Sequence, residues 1–131
     1  MVIPMHESKQ ANGFTLIEML VVMAIIATLL TIVAPRYMHQ TERAQEAVLR
    51  QDLSLMRDAI DKYYGDTGKY PADLDALVTG KYLRKLPVDP FTGSSGTWVA
   101  VMPDDPEQSG VFDVKSGASG KASDGTPYSE W

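Results

Sequence analysis

Phe14-Thr-Leu-Ile-Glu-Met-Leu-Val-Val-Met-Ala-Ile-Ile-Ala-Thr-Leu-Leu-Thr-Ile-Val-Ala34 decides how this chain is built. The run carries one charge, Glu18, and three threonines. At 1.5 Å rise per residue it reaches roughly 31 Å, the thickness of a bilayer core. A buried helix of a small soluble domain would show a polar face, and this one has none. A secretory signal is shorter and ends in an A-x-A-like site; this run is longer, holds a carboxylate, and no such site follows. The reading is a single membrane-spanning helix. Lys9 and Glu7 on one side and Arg36 and Arg43 on the other leave its orientation undecided by charge alone.

Outward from the run, the rest of the chain reads as soluble. The 131 residues are 44% apolar and 22% charged, with a net charge of −5 and no Cys. The acidic balance argues against nucleic acid as a partner. The missing Cys excludes disulfides, thiolate zinc sites, Fe–S clusters and a Cys nucleophile. His6 and His39 are the only histidines and neither falls in the C-terminal half, so serines there lack a base. The acid pairs Asp73/Asp75 and Asp104/Asp105 sit among turn residues and read as solvated, and there is no phosphate loop. The reading is a protein that is not an enzyme.

No Gly or Pro interrupts Arg36–Tyr64. Leu49, Leu53, Met56, Ile60 and Tyr63 recur at alternating spacings of four and three, an apolar stripe expected to underlie a small sheet. Glu46–Arg50 and Asp58–Lys62 are placed on the opposite face as i,i+4 pairs, and Gly65 is expected to cap the helix. Pro35 removes a backbone donor inside this pattern. A helix end and a kink both satisfy it; the pattern continues beyond, which favours a kink within one helix of about 50 residues. Pro71 suits a first helical position, followed by Leu74, Leu77 and Val78 and closed by Gly80. Thr97–Met102 and Val111–Lys115 read as strands of a hairpin around an acidic loop. The tail is Gly/Ser-rich, and its Tyr128 and Trp131 are expected to pack back on the domain.

Gly13-Phe14-Thr15-Leu16-Ile17-Glu18 before an apolar run resembles the signal of type IV prepilins and type II secretion pseudopilins. The segment with Gly68, Tyr70, Pro71, Leu77, Val78, Tyr82, Leu83, Leu86, Pro87, Asp89, Pro90 and Phe91 is similar to the region after the long helix in the major pseudopilins of type II secretion. The likeness thus runs well past the shared N-terminus, and the absence of Cys separates the chain from most pilins with a C-terminal disulfide loop. The resemblance implies an α+β fold: a pilin-like lollipop whose long N-terminal helix packs on a small antiparallel sheet. Its parts are a leader over 1–13, a membrane and assembly helix over 14–34, its amphipathic continuation over 35–64, and a head over 65–131.

The same resemblance implies a prepilin peptidase that cuts between Gly13 and Phe14 and methylates the new amine. It implies assembly through Phe14, Glu18 and Pro35 into a homo-oligomeric helical filament, with membrane lipid around the helix before assembly. An assembly platform, minor pseudopilins and a secretin are the implied partners, and the inner membrane with a periplasmic head the implied location. A carboxylate inside an apolar helix needs a partner, and the amine of a neighbouring subunit would serve for Glu18. The tail resembles the family's calcium loop. There Asp124 matches an acidic ligand position, with Ser119 and Ser116 as supporting oxygens for a calcium ion. A Gly/Ser loop closed by its own hydrogen bonds is the other reading of that tail. Two rival functions stand beside secretion: a type IV pilus subunit for adhesion, motility or DNA uptake, and a single-span membrane-anchored binding protein.

Overall fold

A computed structural model describes residues 13–131. Its elements are α1 (Leu16–Thr67), α2 (Asp75–Thr79), β1 (Trp98–Val101), β2 (Asp113–Ser116) and a terminal 3-10 turn, η1 (Tyr128–Glu130). The fold is α+β, a long apolar N-terminal helix followed by a small antiparallel sheet. The chain parts between His39 and Gln40 into two units.

In the first unit, α1 is long and apolar enough to cross a membrane, and its large side chains from Leu16 to Val33 are exposed. Thr28 and Thr31 donate their hydroxyls to the carbonyls of Ala24 and Thr28, so the helix satisfies its own polar side chains. Helix α1 continues through Pro35, which overturns a helix end at that residue.

In the second unit, Leu49, Leu53, Met56, Ala59 and Ile60 of α1 are buried. They form one core with Leu74 and Leu77, Leu83, Trp98, Val111, Val114, Ala118, Ala122 and Tyr128. The expected stripe is therefore the buried face, with Tyr63 packed at its edge. The cap lies further on than expected. Gly65 stays inside α1, and Gly68 at φ 71° ends it, its N–H donating to the Tyr64 carbonyl at 2.8 Å. Only a residue without Cβ adopts that left-handed turn at little cost.

Pro71 is not the first residue of α2. It is buried ahead of the helix, and its carbonyl accepts the Val111 N–H at 2.8 Å. The Asp73 carboxylate instead takes the Ala76 N–H at 2.8 Å and organises the helix start. Strands β1 and β2 pair antiparallel, Trp98 opposite Ser116 and Val101 opposite Asp113. The tail packs back as expected. Tyr128 stacks on Phe91 with centroids 4.1 Å apart, and Trp131 meets Tyr128 edge-on at 5.2 Å.

Candidate functional site

Gly13 and Phe14 precede α1 and are not helical. Phe14 is 77% exposed. The remainder of the expected leader, residues 1–12, lies outside the described residues. Directly after Phe14, the Glu18 N–H donates to Thr15 Oγ1 at 3.2 Å, and the Thr15 N–H donates to Glu18 Oε2 at 3.3 Å. This reciprocal pair is a capping box, which satisfies two orphan donors at a helix start. The Glu18 carboxylate thus has a partner within its own chain, and the bond between Gly13 and Phe14 stays outside the helix.

The second expected site is the C-terminal loop. Ser116 is fully buried, with its hydroxyl donating to Asp89 Oδ2 at 2.6 Å and accepting the Ala118 N–H at 3.1 Å. Asp124 is exposed, and its Oδ1 accepts the N–H and hydroxyl of Thr126. Those bonds hold its carboxyl below the usual value of 3.8, with the nearby Arg50 charge adding to them. Ser119 is exposed on the same loop. Ser116 and Asp124 therefore point into separate hydrogen-bond groups.

A calcium ion wants six to eight oxygens, carboxylates prominent among them. Residues 116–128 contain one acid, Asp124, and among the described residues no three His, Cys, Asp or Glu side chains gather around a point. This donor set does not fit the ion.

The residues that hold the loop are not evident from the sequence. The i,i+4 spacing places Glu46 on the solvated face of α1, paired with Arg50. It is in fact buried, 8% exposed. Its Oε1 accepts the Ser123 N–H at 2.8 Å and the Tyr128 hydroxyl at 3.3 Å, and its Oε2 accepts the Ser123 hydroxyl at 3.0 Å. The signal was present: Glu46 lies one turn before Leu49 on the same stripe. Arg50 instead sits over the Trp131 ring, 4.3 Å from its centroid.

Arg57 reaches three partners, Asp113 Oδ1 at 2.8 Å and the backbone oxygens of Val114 at 3.0 Å and Trp131 at 2.6 Å. Asp89, matched in the sequence only by resemblance, is fully buried and accepts the N–H of Phe91 at 2.8 Å besides Ser116. A groove of about 600 Å³ runs along this helix–tail seam, lined by acids and bases together, Arg50, Arg57, Asp58 and Asp124 among them.

The prokaryotic N-terminal methylation motif matches residues 8–34. With an exposed apolar helix and an α+β head behind it, that motif defines a pilin-like subunit. The chain is 36% identical over 132 residues to the type II secretion system core protein G of Pseudomonas aeruginosa, covering 88% of this chain and 89% of that protein. It is 30% identical over 142 residues to the core protein G of Aeromonas hydrophila, covering 95% of each. It is also 34% identical over 120 residues to the fimbrial protein EcpC of Eikenella corrodens, covering 88% of this chain and 78% of that one. The chain belongs to the type II secretion system core protein G family, the major pseudopilins. No solved structure matches it.

Proposed function

We propose that this chain is the structural subunit of a type II secretion pseudopilus, assembling through its N-terminal helix into a periplasmic filament. One observation carries the reading: the head closes its own core while the apolar side chains from Phe14 to Val33 remain uncovered. An apolar helix in that state needs lipid or other copies of itself. Before assembly it spans the inner membrane, with the head in the periplasm. In the filament such helices pack against one another, at roughly 25 cal/mol per Å² relative to water and less relative to lipid.

The subunit is not an enzyme but the substrate of one, the prepilin peptidase, which cuts after Gly13 and methylates the Phe14 amine. An exposed, non-helical Gly13–Phe14 segment suits that step. An inner-membrane assembly platform, minor pseudopilins and a secretin are its further partners, and a cytoplasmic ATPase supplies the work.

Intact-mass spectrometry of the full chain co-expressed with a prepilin peptidase tests this. The expected product begins at a methylated Phe14 and is lost in Gly13→Leu. A chain that keeps residues 1–13 beside an active peptidase overturns the filament reading in favour of a membrane-anchored binding protein. The likeness to a fimbrial protein favours a second reading, a type IV pilus subunit. Complementing a strain that lacks its own major pseudopilin separates the two. Restored protein secretion supports the pseudopilus, and surface pili without restored secretion support the pilus.

A further inference from the structure

We infer that the Glu46 carboxylate of α1 fastens the C-terminal loop, residues 116–128, in place of a metal ion, so that the head folds and keeps this loop ordered without calcium. The loop's own acid is committed elsewhere, since Asp124 Oδ1 holds the Thr126 N–H and hydroxyl within one turn. The Ser116 hydroxyl is closed off at full burial between Asp89 and Ala118. A cation entering here would meet one exposed carboxylate already accepting two hydrogen bonds, against the six to eight oxygens it requires.

What a metal clip would do, Glu46 does from the helix. Both of its oxygens are used, and the donors come from residues 77 and 82 positions further along the chain. Closing a loop of that length is where a clip restricts the unfolded chain most. A buried carboxylate is tolerable only with its lone pairs satisfied, and two hydroxyls and a backbone N–H supply that. Burial and the Glu46 charge both raise the Tyr128 phenol above its usual value of 10.0, which keeps it a donor.

The loop's remaining bonds build on this anchor. Ala122 N–H donates to the Thr126 carbonyl at 2.7 Å, and Tyr128 N–H to the Gly120 carbonyl at 3.2 Å. Trp131 Nε1 donates to the Thr126 hydroxyl at 3.0 Å. The inference concerns how the head is held and does not depend on what the filament does.

The test uses the full chain in detergent micelles, with thermal melting followed by tryptophan fluorescence in millimolar calcium or in excess chelator. Trypsin cleavage after Lys121, an exposed residue of the loop, reports its order independently. The wild-type chain is expected to melt at the same temperature in both buffers, with the same rate of cleavage after Lys121. Glu46→Gln keeps the shape but weakens the acceptor, and should lower the melting temperature by about 5 °C and speed cleavage after Lys121 about tenfold. Should that variant fail to fold, Ser123→Ala removes one donor from the loop side and should move both readouts in the same direction by less. Calcium that raises the wild-type melting temperature or protects Lys121 overturns the inference. So does a Glu46→Gln chain, or with it unfolded a Ser123→Ala chain, that melts and is cleaved like wild type.

Discussion

Glu46 and Asp89 are acids inside the head at 8% and 0% exposure, and each is matched to N–H and O–H donors from its surroundings. Asp52 differs. It is half-buried on α1, and burial first, then the charge of Asp89, raises its carboxyl above the ordinary value of 3.8. The folded chain therefore holds this proton more tightly than the unfolded chain does. The stability that goes with it is complete below pH 3.8 and is lost as the pH rises through the raised value. At neutral pH the ionised Asp52 works against folding. Asp52→Asn should stabilise the head there by at most about 1 kcal/mol, since a half-exposed carboxyl is screened by solvent. The gain should vanish in acid. Denaturant melts at neutral pH and near pH 3 check this, and equal gains at both pH values would mean that the ionised, partly buried Asp52 carboxylate is not the cause.

At the scale of elements, hydropathy and spacing made α1 and the β1–β2 hairpin legible because both rest on repeated local signals. The strand limits were close: Trp98–Val101 and Asp113–Ser116 fall within or one residue beyond the expected runs. The errors came where one residue answers to a distant partner. Gly65 is the first glycine after the stripe, yet a glycine within a helix costs only about 1 kcal/mol, and the turn that needs φ above zero comes at Gly68. Pro71 has the look of a helix start but is held by Val111. Glu46 lies a turn from Leu49 on the stripe, yet its i,i+4 spacing to Arg50 reads as a solvated pair, and only the distant Ser123 and Tyr128 show otherwise.

The stripe itself makes a two-sided prediction. Met56 is fully buried, whereas Leu55 beside it is 50% exposed. Met56→Ala should cost about 2–5 kcal/mol, and Leu55→Ala should stay within about 0.5 kcal/mol of wild type. Comparable losses in urea melts would mean that this face of α1 is not the one that carries the core.

For the whole molecule, the division between His39 and Gln40 separates two kinds of stability. Among the described residues, the buried core from Leu49 to Tyr128 belongs to the second unit, as do the anchors Glu46, Arg57 and Asp89. The first unit has its large apolar residues exposed and gains from lipid or from other copies, so its stability belongs to the environment. Among the described residues, a chain beginning at Gln40 keeps the buried core and the hydrogen bonds of Glu46 and Arg57 to the tail. It lacks the exposed apolar side chains from Phe14 to Val33. That fragment should therefore be a soluble monomer in gel filtration without detergent. It should melt cooperatively within about 3 °C of the head in the detergent-held full chain. The full chain without detergent should aggregate, because its exposed apolar surface far exceeds what a soluble monomer shows. A fragment that melts without cooperativity, or only in the presence of the helix it lacks, would mean that residues before Gln40 contribute to the core and that the membrane helix is part of how the head folds.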